Sequence, residues 1–389
     1  MDITIQPGKL SGTVTVIPSK SQAHRLLICA AFADKTTELL CRDTNRDIEA
    51  TVACLNALGA DIQRTKAGYS VTPIHSIPVR AEIDCWECGS TLRFMLPIVG
   101  ALGVDATIHM AGRLPQRPLS PLWEKMEDMG CTLSRPTVDT IRCQGKLKEG
   151  AYVIDGSVSS QFITGLLFAI ALLNDNSTLE ITGKIESKPY IEMTRRALAL
   201  FDAPHFRSPG TVAIEGDWSN GAFWLAANSF GSDLQIKGLN PDSPQGDRAV
   251  SQIIPMLENG FETVSAADIP DLIPILAVVA AANHGAAFTH IQRLRLKESD
   301  RVASVSQMIN ALGGKADATE DTLTIHPAKL VGGIVDSAND HRIAMASAIA
   351  ATICTQPVTI LGADAVNKSY PQFWAEYRRL GGNYEQYLR

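Results

Sequence analysis

The chain has 389 residues, 45% hydrophobic and 20% charged, which is typical of a globular protein with a large core. At this length one core usually divides, so we expect two domains. The net charge of -6, without a long basic run, argues against nucleic-acid binding. The longest apolar stretch, 272–282, is shorter than the roughly 18 residues of a membrane span, and the first residues carry no secretory signal. We expect a cytoplasmic protein that is not embedded in a membrane.

The first predicted helix covers residues 23–32 and begins at a candidate capping box. Ser19 has the position of the N-cap, and Gln22 stands three residues later, where its side chain would reach back to the N-cap backbone. Lys20 then lies in the first turn, although the helix dipole favours an acidic residue there.

One short pattern recurs along the chain: an amphipathic helix ends in Leu or Met, a glycine follows, and an alternating strand comes next. A left-handed glycine would close each helix. Strand pairs are predicted after several copies, for example at 61–64 with 69–72. Six copies predict two lobes of three units. Three are centred on Gly59, Gly130 and Gly313, and three weaker ones on Asp202, Gly260 and Gly381, of which the first has no glycine.

The eight cysteines are dispersed, which is typical of reduced core thiols, so we expect no disulfides. Cys85 and Cys88 form a C-x-x-C, the spacing of redox dithiols and of half a zinc site. Because no second C-x-x-C is present, we interpret both as structural residues and predict no metal.

Cations and hydroxyls recur at predicted helix starts. Backbone N–H groups and the dipole make helix N-termini good anion sites, so this arrangement indicates a multiply anionic small molecule. Lys297 and Arg301 would share one helix face, and Arg117 is fixed between two prolines. The other starts carry Ser159-Ser160-Gln161, Ser187-Lys188-Pro189-Tyr190, Asn339-Asp340-His341-Arg342, and Lys368 before a helix at 372–379. The usual sequence motifs of nucleotide, dinucleotide, acyl-serine and zincin chemistry are absent.

These segments, in this order, resemble the EPSP synthase (3-phosphoshikimate 1-carboxyvinyltransferase) family from Ile5 to near the C-terminus. The residues that carry the resemblance are Ser19-Lys20-Ser21 with Arg25, Arg117-Pro118, Ser159-Ser160-Gln161-Phe162, Ser187-Lys188-Pro189-Tyr190, Ile269-Pro270-Asp271, Lys297-Glu298-Ser299-Asp300-Arg301, Asn339-Asp340-His341-Arg342 and Lys368.

The resemblance implies a two-lobed inside-out α/β barrel, with three βαβαββ repeats in each lobe and the active site in the cleft between them. One lobe would comprise residues 1–18 and 217–389, and the other residues 19–216. The implied reaction transfers the enolpyruvyl group of phosphoenolpyruvate (PEP) to the 5-hydroxyl of shikimate 3-phosphate and releases phosphate. No cofactor or metal is implied, and the family is usually monomeric.

The resemblance also assigns the binding residues of both substrates. For shikimate 3-phosphate they are Lys20, Ser21, Arg25, Ser159, Ser160, Gln161, Ser187, Tyr190, Asp271 and Lys297. For PEP they are Lys20, Gly89, Arg117, Gln161, Arg301, Arg342 and Lys368. Asp271 would be the base at the 5-hydroxyl, with Lys20 and Glu298 as candidate acids. We expect the surrounding cations to lower the pKa of Asp271, which weakens it as a base until bound anions offset their field.

Two residues depart from the family pattern. Glu87 stands where an amide is common near the PEP pocket, and Arg293 where many members have Asn. Gly89 is retained, so the pocket could admit PEP and the inhibitor glyphosate, but sensitivity stays open. The alternatives are UDP-N-acetylglucosamine enolpyruvyl transferase and a non-catalytic paralogue that binds the metabolites without turnover.

Overall fold

The computed structural model describes residues 1–173 and 176–387. The chain forms two compact units. The central unit comprises Pro18–Glu215, and the terminal unit comprises Met1–Ile17 with Gly216–Arg389. None of the described helices is long and apolar enough to cross a membrane.

Strands and helices alternate along most of the described chain. The strands are β1 (Asp2–Ile5), β2 (Ser11–Thr15), β3 (Thr37–Leu40), β4 (Asp61–Arg64), β5 (Gly68–Thr72), β6 (Arg80–Asp84), β7 (Asp105–His109), β8 (Cys131–Ser134), β9 (Thr140–Gly145), β10 (Ala151–Asp155), β11 (Thr178–Thr182), β12 (Thr211–Ala213), β13 (Asp233–Lys237), β14 (Glu262–Ser265), β15 (Ala286–Thr289), β16 (Lys315–Ala318), β17 (Thr322–His326), β18 (Gly333–Asp336), β19 (Val358–Leu361) and β20 (Tyr384–Tyr387). The α-helices are α1 (Lys20–Ala31), α2 (Arg46–Ala57), α3 (Gly89–Leu102), α4 (Leu122–Asp128), α5 (Ser160–Leu172), α6 (Lys188–Leu200), α7 (Trp218–Ser229), α8 (Val250–Asn259), α9 (Ile273–Ala282), α10 (Arg301–Ala311), α11 (His341–Ala350) and α12 (Phe373–Arg379).

Four four-stranded sheets share one pattern, a parallel pair of strands that is continued by two further antiparallel strands. The orders β6-β7-β9-β8 and β14-β15-β17-β16 follow the chain as βαβαββ units. In the orders β12-β3-β5-β4 and β18-β19-β1-β20, one strand is distant in sequence from the other three but belongs to the same unit. These strands are β12 and β1. The parallel pairs β10-β11 and β2-β13 complete the described sheets, so each unit contains three related substructures.

The predicted helix-closing glycines are confirmed at Gly59, Gly130, Gly313 and Gly381, which all have positive φ, and Asp202, in the copy without a glycine, has a positive φ as well. The prediction was wrong at Gly260, whose φ of 179° is extended backbone. Hairpins follow Gly59, Gly130 and Gly313, because two strands of the same substructure come next in the chain.

Each unit has its own hydrophobic core. The apolar stretch 272–282 becomes α9 of the terminal unit, a helix that is buried almost throughout. In the central unit, α5 packs closely on α3 at Gly165, where a Cβ would lie 2.2 Å from the Arg93 carbonyl oxygen. Within α3 this carbonyl would normally accept a hydrogen bond from the residue four positions later, but that residue is Pro97, which has no N–H. The close packing brings the start of α5 beside the residues of α3 that are described below.

Three local predictions were wrong in detail. Ser19 caps α1 by accepting a hydrogen bond from the Gln22 N–H, but the Gln22 side chain accepts from the Glu215 N–H and leaves the capping box half formed. Residues 297–300 are not helical, because α10 begins only at Arg301. Lys368 ends a short 3-10 helix and does not open α12, which starts at Phe373.

Candidate active site

Arg301 is the centre of a buried ion cluster in the terminal unit. It is the first residue of α10, where Asp300 is the N-cap and accepts a hydrogen bond from the Ala303 N–H. The Arg301 side chain, only 1% exposed, donates to three carboxylates: Asp271 at 2.5 Å, Glu298 at 2.7 Å and Asp340 at 2.8 Å. A planar guanidinium can satisfy several carboxylates at once, so this one residue fixes the positions of all three.

Asp271 lies in the turn before α9 and contacts three cations. Besides Arg301, the Lys297 Nζ lies 3.7 Å from Asp271 Oδ1 and the Arg342 Nη2 lies 3.4 Å from Oδ2. Burial would raise the pKa of Asp271, but Arg342, Lys297 and Arg301 together hold this pKa well below its usual range. The expected lowering of the Asp271 pKa is confirmed, and the side chain is an ionised carboxylate at neutral pH.

Lys297 has an unusual titration for a lysine. Burial lowers its pKa to about 8, Asp271 opposes this shift, and Arg301 adds to it. Arg293, one of the residues that depart from the family pattern, also lowers the Lys297 pKa. The ammonium therefore loses its proton only slightly above neutral pH.

Asp340 links Arg301 to the start of α11. Its carboxylate accepts from Arg301 Nε, from the Ser299 hydroxyl at 3.1 Å and from the Arg342 N–H at 3.0 Å, where it is the N-cap of the helix. Lys368 joins the same helix start by donating to the Asn339 carbonyl oxygen at 2.9 Å. The structure thus brings Lys368 near Arg342, although not by the helix predicted from the sequence.

Asp247 was missed by the sequence analysis. Its carboxylate is 2% exposed and accepts a hydrogen bond from the Ser219 hydroxyl. Burial and the nearby charge of Asp271 raise the Asp247 pKa to about 7. Ser219 also accepts from Arg342 through its carbonyl oxygen, at 3.3 Å. Asp247 lies in a short 3-10 helix, Gly246–Ala249, and the sequence there gives no signal for this placement.

Lys20 pairs with Asp47 in the central unit. The Lys20 Nζ donates to Asp47 Oδ2 at 2.7 Å, and the two side chains are 15% and 11% exposed. Asp47 lies in the first turn of α2, after the N-cap Asn45. Acidic residues are common in a first turn, so the sequence does not mark Asp47 as a site residue. The pair holds a charged donor at the start of α1.

Arg25 occupies a buried position between three helices. Its guanidinium donates to Thr194 Oγ1 at 2.9 Å, to the Tyr190 carbonyl oxygen at 2.9 Å and to Thr164 Oγ1 at 3.4 Å. It also donates to the Ser21 carbonyl oxygen at 2.6 Å. Among the described residues, these bonds leave one Nη1 hydrogen for a ligand, and they bring the predicted residues Ser21, Arg25 and Tyr190 together.

Gly89 opens α3 beside two arginines. A Cβ at this position would lie 2.6 Å from Arg117 Nη1 and 2.8 Å from Arg93 Nη1. Arg93 donates to Gln161 Oε1 at 2.8 Å, and the Gln161 Nε2 donates to the Ser90 hydroxyl at 2.9 Å. Because the first residue of α3 is a glycine, a small anion can approach the backbone N–H groups of the helix start between the two guanidinium groups.

The remaining predicted hydroxyls lie at two helix starts. Ser159 is the N-cap of α5 and accepts from the Gln161 N–H at 3.3 Å, while Ser160 begins that helix and is buried. Ser187 is the N-cap of α6 with a left-handed φ of 55°, and it is buried as well. Two residues outside the predicted set contact members of it: Arg93 donates to Gln161, and Asp47 accepts from Lys20.

The Glu87 carboxylate packs over Gly112, where a Cβ would lie 2.5 Å from Oε2. Cys85 and Cys88, the two residues of the C-x-x-C, both have buried side chains. Cys88 is the N-cap of α3, and burial raises the pKa of both thiols. All eight cysteines are free and buried. Within residues 1–173 and 176–387, no group of three or more His, Cys, Asp and Glu side chains could hold a metal ion.

Comparison with known proteins gives one consistent result. A family model described as EPSP synthase (3-phosphoshikimate 1-carboxyvinyltransferase) matches residues 5–377. The chain is 37% identical to the 3-phosphoshikimate 1-carboxyvinyltransferase of Clostridium kluyveri, over 99% of this chain and 98% of the relative. It is 36% identical to that of Clostridium beijerinckii, over 99% of each. An EPSP synthase structure from Acinetobacter baumannii matches with a TM-score of 0.79 at 19% identity, over 100% of both chains, which confirms the predicted fold class.

Proposed function

Because this chain belongs to the EPSP synthase family, we propose that its active-site residues transfer the enolpyruvyl group of PEP to the 5-hydroxyl of shikimate 3-phosphate. The hydroxyl oxygen forms a bond to C2 of PEP while a proton is added to the methylene carbon. Phosphate then leaves and a proton is lost from the new methyl group. The reaction needs one group that removes a proton, one that donates a proton, and cations that hold two polyanions together.

The observation that carries this proposal is the position of Asp271 among Arg301, Arg342 and Lys297. In the free protein these cations depress the pKa of Asp271 and make it a weak base. The phosphate and carboxylate groups of the substrates would draw the cations into charge-assisted hydrogen bonds and offset their field. Asp271 would then gain basicity only when both substrates are bound, which limits the proton transfer to the complete complex.

Each unit carries groups that can bind anions. Gly89 with Arg117 offers backbone N–H groups and a guanidinium to PEP, Gln161 is oriented by Arg93, and Arg301, Arg342 and Lys368 supply further cations. Shikimate 3-phosphate would be bound by polar side chains at the helix starts, of which the Ser160 and Ser187 hydroxyls are buried. These ligands are Ser21, Ser159, Ser160, Gln161 and Ser187, with Arg25, Lys20 and Lys297 as cations and Tyr190 against the ring.

Lys20 is our preferred proton donor for the methylene carbon. Its ammonium is ion-paired with Asp47 and partly withdrawn from solvent. Glu298 is the second candidate, but its carboxylate accepts from Arg301 at 2.7 Å, an arrangement that favours the ionised form. Glu298 would have to gain a proton before it could act as an acid.

The testing experiment is phosphate release from the purified protein, given PEP with shikimate 3-phosphate and, separately, PEP with UDP-N-acetylglucosamine. Release with the first pair alone is expected. Release with the second pair would identify the related transferase. Tight binding of shikimate 3-phosphate without any release would indicate a paralogue that binds the metabolites without turnover.

We also propose that the protein acts as a monomer in the cytoplasm, where its thiols stay reduced. The free, buried cysteines support this compartment. Sedimentation velocity at micromolar concentration tests the monomer, and a mass that doubles with concentration would contradict it.

A further inference from the structure

Four buried residues of the central unit form a closed ring of polar contacts, called here the polar ring: His24 on α1, Thr51 on α2, Thr91 on α3, and Cys88 at the N-cap of α3. The His24 Nδ1 lies 2.8 Å from Thr51 Oγ1, and Thr51 Oγ1 lies 2.7 Å from Thr91 Oγ1. The Thr91 N–H donates to Cys88 Sγ at 3.4 Å, and Cys88 Sγ lies 3.9 Å from His24 Nε2. Each member is at most 3% exposed.

The polar ring lies one helical turn from the pair Lys20–Asp47. His24 follows Lys20 by four residues on α1, and Thr51 follows Asp47 by four residues on α2, so each pair shares one helix face. The contact between His24 and Thr51 therefore repeats, one turn deeper, the contact between Lys20 and Asp47. On α3, Cys88 directly precedes Gly89 as the N-cap, and Thr91 follows Gly89 by two residues in the first turn.

A buried polar ring restricts helix packing more than an apolar contact does. Leucine and valine can slide past each other at small cost, whereas a buried hydroxyl or imidazole that loses its partner carries the full penalty of an unpaired polar group. Burial, with Lys20 and Arg25 nearby, holds the His24 pKa well below its usual value, so the imidazole is neutral and can both donate and accept. The ring thus has few alternative arrangements.

From this geometry we propose that the polar ring, through Thr51 and His24, positions the Lys20 ammonium against Asp47 and fixes the starts of α1, α2 and α3 relative to one another. These residues are positioning residues: they act through Lys20 and Gly89 and contact no reacting atom. The inference rests on the proposed function in assigning Lys20 to proton transfer and Gly89 to PEP. It adds residues outside the sequence-predicted site.

Thr51→Val tests the proposal, because valine keeps the shape of threonine and removes the hydroxyl that joins His24 to Thr91. We expect kcat to fall about tenfold, as small displacements of a catalytic group do, with a smaller change in the KM of shikimate 3-phosphate. Thr51→Ser restores the hydroxyl and should recover most of the activity. The matched control is Thr37→Val, which removes another fully buried hydroxyl of the same unit, bonded to Ser208 at 2.7 Å. Thr37→Val should lose comparable stability and keep wild-type kinetics.

A spectroscopic readout separates this proposal from the proposed function. The NMR signal of Lys20 Nζ, assigned by its loss in Lys20→Arg, should shift in Thr51→Val and stay unchanged in Thr37→Val. That comparison holds even if the wild-type protein releases no phosphate, an outcome that would refute only the proposed function. If Thr51→Val does not fold, Thr91→Val removes the next hydroxyl of the ring and is measured in the same way. Wild-type kinetics with an unchanged Lys20 signal in the folded variant would overturn the positioning role.

Discussion

Arg301 Nε donates to Asp340 Oδ2 at 2.8 Å, and the two side chains are 1% and 0% exposed. Such a pair contributes little if both partners are replaced, but losing one partner leaves a buried charge uncompensated. Asp340 has a second role, because it caps the helix that carries Arg342. Asp340, which is fully buried, therefore holds both Arg301 and Arg342 in position in the terminal unit.

Asp340→Ala should lower the free energy of unfolding by about 3–5 kcal/mol, since it leaves the buried Arg301 with an unpaired Nε and removes a helix cap. Urea unfolding followed by circular dichroism measures the change. Asp340→Asn keeps an acceptor for the Arg342 N–H and should lose less. Glu192→Ala, which breaks an exposed pair with Arg196, is the control and should leave the midpoint unchanged. An Asp340→Ala protein as stable as wild type would contradict the uncompensated-charge argument.

Asp271→Ala should reduce kcat by about 10²–10⁴-fold, the usual contribution of a general base, while shikimate 3-phosphate still binds. Steady-state phosphate release and calorimetric titration of the ligand give the two quantities. Asp242→Ala removes an exposed carboxylate of the same unit and should be kinetically silent. Near-normal turnover of Asp271→Ala would remove Asp271 from the base role.

Affinity for shikimate 3-phosphate should decrease above pH 8, because the Lys297 pKa lies at about 8 and only the ammonium attracts a phosphate dianion. The sign follows from linkage: the bound anion favours protonated Lys297, so affinity is lost as the pH rises through its pKa. The dissociation constant should rise about tenfold per pH unit well above pH 8. Calorimetry from pH 7 to pH 10 measures the profile. Lys297→Arg stays charged over this range, so its dissociation constant should change little with pH. The same rise above pH 8 in that variant would show that another group causes it.

Gly89→Ala should raise the KM of PEP by about tenfold or more, because the new methyl group would lie within 2.8 Å of both Arg117 and Arg93 guanidinium nitrogens and displace them. The KM of shikimate 3-phosphate should change much less. Gly8→Ala is the matched control, since a Cβ at Gly8 meets nothing within 4 Å. Initial rates at varied concentrations of each substrate separate the two effects, and equal rises in both constants would argue against a PEP-specific site.

Local sequence signals predicted the helix starts well wherever a side chain caps its own helix. Ser19, Ser159 and Asp340 cap α1, α5 and α11 through bonds to N–H groups two or three residues later. The same reasoning was wrong at Gln22, whose side chain bonds the Glu215 backbone, nearly two hundred residues along the chain. A long-range partner can outcompete a local one, and nothing in the sequence around Gln22 reveals it.

The repeated turns predicted two lobes, and the motif order gave the family resemblance, which implied the fold class and the site residues; helix caps, repeated turns and cations at helix starts are local properties of the chain. Only the tertiary structure decided which charges meet. Asp271 and Arg301 lie thirty residues apart, Asp47 had no distinguishing signal, and Asp247 owes its pKa of about 7 to burial and to Asp271. Burial and distance between charges set pKa values and ion pairs, and both arise only when distant segments pack together.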